Sequence, residues 1–189
     1  MGVKRSERGR RLVGEGVELR RHEKANYGLY ARWYGDEEVW RLTSWAEEPL
    51  GRPAVEQLFD EREASATDDS FAVHEEGEDE PIGVISLINI SRANASADLS
   101  VIVGSAVNRA RGLGTEAIRV LLRYAFEEVG LHRVALSVFE FNEQAIAAYE
   151  KLGFKEEGRL RQALRRDDGF HDAILMSILA PEQCEADSS

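Results

Sequence analysis

The chain has 189 residues, 43% of them hydrophobic, enough for one well-packed domain and short for two. Its 24 basic and 35 acidic residues leave a net charge of -11, which argues against nucleic acid as the main partner and favours cationic substrates only weakly. No apolar run reaches the roughly 18 to 20 residues of a membrane span and no apolar secretion segment opens the chain, so no membrane partner and a cytoplasmic location are expected.

Residues 1–14, with Lys4, Arg5, Arg8, Arg10 and Arg11, are expected to form a flexible basic tail, and residues 181–189 an acidic one, around a single domain at 15–180. Cys184 lies in the second tail, and the four histidines show no ligand spacing, so neither a disulfide nor a metal site is expected. Residues 17–20 read as a short strand and 23–34 as a helix carrying Tyr27, Tyr30 and Tyr34. Val55, Leu58 and Phe59 recur at helical spacing over 53–64, with Pro53 suited to a first turn. The spacing then predicts strands at 70–74 and 82–90, a hairpin across the acidic turn 75–81, and a strand at 98–103. Acidic pairs such as Glu37-Glu38 and Glu47-Glu48 read as solvated faces.

Farther along, Ala117, Ile118, Leu121, Leu122, Ala125, Phe126 and Val129 share one helical face that Gly130 ends. Val134, Leu136 and Val138 alternate along a strand. Asn142 then suits the N-cap of a helix with Ala145, Ile146, Tyr149 and Leu152 on one face and Gly153 at its end. Strand-like runs at 158–164 and 173–179 complete an α/β order whose hairpin implies a mixed sheet.

Between the strand at 98–103 and the long helix runs Asn108-Arg109-Ala110-Arg111-Gly112-Leu113-Gly114-Thr115-Glu116-Ala117. A glycine-rich turn entering a helix leaves the first helical amides unpaired, and these amides with the helix dipole attract phosphate. Gly112-x-Gly114-x-x-Ala117 fits a dinucleotide-binding fingerprint, with Glu140 as a ribose-binding acid, but the flanking βα repeats of that fold are missing. A P-loop is excluded because no Gly-Lys-Ser/Thr follows the turn. The glycines could also serve only to enter the helix.

Arg109-x-x-Gly112-x-Gly114 resembles the acetyl-CoA pyrophosphate signature of the GNAT superfamily of N-acetyltransferases. Ile102-Val103-Gly104, Gly112 through Ala117, Arg123-Tyr124-Ala125-Phe126, Asn142, Tyr149-Glu150-Lys151-Leu152-Gly153-Phe154 and Glu157-Gly158 extend the likeness. They are similar to the branch holding ribosomal-protein N-terminal and spermidine acetyltransferases, closely over 98–179 and loosely before it. Ala110 departs from that branch, which often has glycine there, but keeps the backbone amide.

The resemblance implies the α/β GNAT fold, a mixed, mostly antiparallel sheet of about six to seven strands flanked by helices. It implies acetyl-CoA as co-substrate and a primary amine as acceptor, and leaves a homodimer open. By the same resemblance Val103 and Gly104 offer backbone groups to the pantetheine arm, and the turn of Arg109, Arg111, Gly112, Leu113, Gly114 and Thr115 holds the pyrophosphate. Asn142 lies beside the pantetheine, unless it serves only as a cap. Tyr149 is the general acid facing the sulfur, where packing alone would make it a core residue.

Acetyl transfer needs a deprotonated amine, a stabilised oxyanion and a protonated leaving thiolate. Glu47, Glu48, Asp98 and Glu140 are candidate bases, none with a motif behind it. With the only cysteine in a tail, direct attack within a ternary complex is expected over an acetyl-enzyme. At pH 7 an alkyl amine of pKa about 10.4 is neutral in about one molecule in 2,500, an α-amine of about 7.8 in about one in seven. Without an evident base this favours a peptide N-terminus or an amino sugar over a polyamine, while the negative surface leans the other way. Trp33, Trp40 and Trp45 either line the acceptor pocket or fill the core. A polyamine acetyltransferase and an inactive acyl-CoA-binding regulator stand as alternatives.

Overall fold

The computed structural model describes residues 11–180 and 182. In chain order they form β1 (Arg11–Val13), β2 (Val17–Arg20), a 3₁₀ turn (Lys24–Asn26), α1 (Tyr27–Tyr34), α2 (Glu37–Thr43), α3 (Arg52–Ala64), β3 (Asp69–Glu75), β4 (Pro81–Ser91) and β5 (Ser96–Val103). Then follow α4 (Ala106–Ala110), α5 (Leu113–Arg123) with a π-helical turn (Tyr124–Glu128), β6 (Arg133–Phe139), α6 (Glu143–Lys151), β7 (Lys155–Arg166) and β8 (Gly169–Leu179). Cys184 and most of both expected tails lie outside the described residues.

One sheet runs in the order β1-β2-β3-β4-β5-β6-β8-β7, antiparallel everywhere except between β5 and β6. This is the mixed, mostly antiparallel sheet expected, with eight strands rather than six or seven. The additional strand is β1, inside the stretch expected as tail. Three residues give no period to read, yet Leu12 is buried in the main core while its neighbours are exposed.

Alternation along the central strands builds two cores, one on each face. Phe71, Val73, Ile85, Leu87 and Leu99 pack under α5, whose buried stripe is Ala117, Ile118, Val120, Leu121 and Leu122. Ala72, Val84 and Ile102 face the other way and meet Tyr27, Tyr30, Trp33, Val55 and Phe59 of α1 and α3. The helix whose face reads from Ala117 in fact starts at Leu113 and ends through the π turn, with Gly130 left-handed at φ 76° as its stop.

The parallel pair positions the site. β5 and β6 pair only at Ser96↔Arg133, Ala97↔Val134 and Asp98↔Ala135. Beyond that point each strand continues its antiparallel ladder with its other neighbour, β5 with β4 as far as Gly83↔Val103 and β6 with β8 as far as Phe139↔Ala173. A wedge opens between them.

Candidate functional site

Two cavities meet in this wedge. The smaller, about 260 Å³, lies towards α5 and α6 and is lined by Val103, Arg109, Gly112, Gly114 and Thr115. The larger, about 520 Å³, reaches under α2 and α3 and is lined by Trp40, Trp45, Arg62, Asp98, Ser100 and Phe139 among others. Val39, Leu42, Thr43, Val101, Asn142 and Tyr149 line both.

The glycine turn suits an anion. Gly112, the N-cap of α5, sits in the left-handed region at φ 78°, ψ -4° and gives the helix no side-chain cap. Its first amides are therefore uncapped, at a helix end where negative charge is favoured. A Cβ on Gly114 would come within 2.9 Å of the Val103 side chain, so glycine lets the helix start close against β5. This donor set fits a pyrophosphate, as the resemblance requires.

The two arginines behave differently. Arg109 lines the smaller cavity, donates to the Val103 carbonyl at 3.2 Å and pairs with Glu38 of α2 at 3.0 Å. Arg111 points to β3, where it grips Glu75 at 2.8 and 2.5 Å and holds that carboxyl below its ordinary range. Arg111 does not line the cavity. Nor do Leu113, which packs against the main core, and Gly104, where a Cβ would overlap the Trp33 indole.

Asn142 is an N-cap, accepting from the Ala145 amide at 3.3 Å, and it also donates to the Leu42 carbonyl of α2 at 3.2 Å. Tyr149, on the same helix, is half-buried with its ring 5.7 Å from Phe154. Its hydroxyl has no hydrogen-bond partner among the described residues, and burial pushes its pKa up to about 12. A phenol in that state stays protonated throughout the physiological range and can donate.

Of the four candidate bases only Asp98 lines a cavity, with Oδ2 accepting from Asn89 at 3.0 Å. Glu47 and Glu48 are exposed, and Glu140 accepts from the Asp172 amide at 3.1 Å. The tryptophans divide. Trp33 stacks on Tyr30 in the second core, whereas Trp40 and Trp45 line the larger cavity.

Sequence reasoning missed α2 and the side chains that hold it. Asp36 caps it, accepting from Val39 at 2.9 Å, and Glu37 and Glu38 fill its first turn. An acid followed by two glutamates is a legible helix start. Arg166 of β7 left no such signal. Its guanidinium, 8% exposed, lies 4.2 Å over Trp40 and donates to the Ser44 carbonyl at 2.6 Å and to the carbonyls of Trp40 and Arg41 at 3.5 Å. Arg62 and the Arg133–Glu157 pair of the larger cavity also escaped notice.

Comparison with known proteins places this geometry in context. A model described as an acetyltransferase (GNAT) domain matches residues 17–155. The spermidine N(1)-acetyltransferase of Escherichia coli K12 is 30% identical over 135 residues, 71% of each chain. A Bacillus subtilis protein provisionally named a ribosomal N-acetyltransferase (YdaF) is 37% identical over 100 residues, 53% of this chain and 54% of that relative, so the match spans about half its length. The solved spermidine N-acetyltransferase of Vibrio cholerae in complex with CoA and spermine superposes with a TM-score of 0.81 at 25% identity, covering 89% of this chain and 98% of that one.

Proposed function

Because the chain belongs to the acetyltransferase (GNAT) family, whose enzymes draw on acetyl-CoA, we propose that it moves an acetyl group to a primary amine by direct attack in a ternary complex. The observation that carries this reading is the meeting of two cavities at Tyr149, Asn142 and Val101. The amides at the start of α5 would hold the pyrophosphate, and the edge of β5 at Val101 and Val103 would line the pantetheine arm. When bound, acetyl-CoA supplies the acetyl group as a thioester, whose C–S bond breaks as the C–N bond to the amine forms.

The chain's part is proton management and placement. Asp98 takes the proton that the amine must lose, and the Tyr149 hydroxyl gives one to the departing sulfur. Asn142 caps α6 as expected and, beyond that, ties the Leu42 carbonyl of α2 across the junction, where it would also lie beside the pantetheine arm.

The test is Tyr149→Phe, which keeps the ring and removes the donor. Its kcat should fall by roughly 10²- to 10⁴-fold with acetyl-CoA affinity nearly unchanged. Near-normal turnover would return Tyr149 to a packing role. A polyamine acceptor is the second reading, favoured by the similarity to spermidine acetyltransferases.

A further inference from the structure

The larger cavity carries an unusual charge arrangement. Its titratable cations and anions are Arg62, Arg133, Asp98 and Glu157. Two of them neutralise each other, since Arg133 grips Glu157 at 2.6 and 2.5 Å, and with help from Ser177 this holds the glutamate at a pKa of about 2. Asp98 and Arg62 are in no direct ion pair among the described residues, although Asp98 is near enough to Arg133 to help raise its pKa. Arg62 is held by neutral groups alone, donating to Ser86 Oγ at 3.4 Å and to the Tyr34 hydroxyl and lying 5.6 Å from the Phe59 ring centre. Ser86 is itself hydrogen-bonded to Ser70 at 2.6 Å beneath the guanidinium.

Five N–H donors in a planar fork match a carboxylate in two-point contact, and only part of that capacity is used here. A half-buried cation without a counter-ion in an acceptor cavity is a site waiting for an anion from the acceptor. A polyamine would instead bring a second positive charge towards it, against like-charge repulsion. Among the described residues lining the cavity Arg62 is the one guanidinium outside an ion pair, and Arg166 over Trp40 is spent on the carbonyls of α2, so the site suits a monoanion better than a phosphate.

Building on the acetyltransferase reading, we infer that Arg62 anchors a carboxylate of the acceptor, which is therefore an amino-acid-like zwitterion whose amine faces Asp98. The aromatic wall of Trp40, Trp45 and Phe139 then suits an apolar or aromatic side chain between the two charges. Arg62 is a specificity residue in this scheme, while the chemistry stays with Tyr149 and Asp98.

The test is binding in the presence of CoA, read by calorimetry, with L-phenylalanine, L-phenylalaninamide, phenethylamine and spermidine as probes. L-Phenylalanine should bind roughly tenfold or more tightly than phenethylamine, the usual scale of a charge-assisted contact, with the amide between them. Arg62→Gln should erase that preference and leave phenethylamine and CoA binding unchanged, whereas Arg62→Lys should keep part of it. Equal binding of L-phenylalanine and phenethylamine by the wild type would overturn the anchor. So would an equal loss of both in Arg62→Gln, or tightest binding of spermidine. Carboxylate-selective binding without thiol release from acetyl-CoA would uphold the anchor and refute the acetyltransferase reading, and thiol release without that selectivity would do the reverse.

Discussion

His22 shows how one side chain can carry a pH dependence unrelated to catalysis. Its Nδ1 lies 3.1 Å from the Tyr30 hydroxyl and its Nε2 2.8 Å from Ser70 Oγ, with the ring edge-on to Tyr30 and Phe59. Burial, helped by the charges of Arg62 and Arg21, pushes its pKa down from 6.5 to about 3. The unfolded chain therefore binds a proton that the folded one refuses. That stability is complete above pH 6.5 and is lost progressively as the pH falls towards 3. His74, also lowered by burial and Arg20, acts in the same direction, while Glu157 contributes only below its ordinary value of 4.5. Urea unfolding at pH 7 and pH 5 should show a clear loss for the wild type and a smaller one for His22→Gln. An identical loss in both proteins would mean that His22 is not the buried neutral base described.

Among residues, the glycine turn and the Asn142 cap were legible because each follows a local rule, a left-handed N-cap and an amide-accepting side chain; Tyr149 stood out only through the family resemblance, since its helical face alone reads as core. Arg62 and Arg166 were not, because an arginine on a polar-looking stretch gains its meaning only from partners distant in sequence. Ser44 precedes Arg166 by 122 residues.

At the scale of elements, α2 forms a wall of the larger cavity. It buries only Val39 and is otherwise held by polar ties: Glu38 to Arg109, the Leu42 carbonyl to Asn142, Arg41 to Asp168 at 2.9 Å, and its last carbonyls to Arg166. A buried cation without a carboxylate is tolerable here because the negative end of the helix supplies the compensation. Arg166→Met should keep the volume but leave those carbonyls unsatisfied, loosening the wall that carries Trp40 and Trp45. The expected result is a several-fold rise in the acceptor KM, a red-shifted tryptophan emission and unchanged acetyl-CoA affinity. A variant with wild-type emission and KM would show that α2 needs no such latch.

α1, α3, α5 and α6 were readable from periodicity, since each turns one apolar face inward, whereas α4, five residues long, reads as part of the glycine turn. α2 was not readable, because seven residues with one buried position make no stripe. β1 escaped for the same reason, its single buried Leu12 giving no alternation.

For the whole molecule, the decisive feature is a sheet that pairs for three residues at β5 and β6 and then divides, so that two cavities share one junction. Local patterns reveal a mixed sheet, through its hairpin, but not the parallel pair itself. They do not reveal where it ends, because that is set by the competing ladders with β4 and β8. Among the described residues no helix is long and apolar enough to cross a membrane, and no cluster of His, Cys, Asp or Glu could hold a metal ion.

On the acetyltransferase reading proposed above, a thioester enters this junction through the cavity at α5 and an amine through the larger one. The most direct measurement is therefore thiol release from acetyl-CoA with and without primary amines, alongside thermal stabilisation by acetyl-CoA, CoA and NAD. The expected result is stabilisation by acetyl-CoA and CoA but not NAD, with thiol release that depends on the amine. Stabilisation by NAD instead, or bound acetyl-CoA that yields no amine-dependent thiol across peptides, amino acids, amino sugars and polyamines, would contradict it.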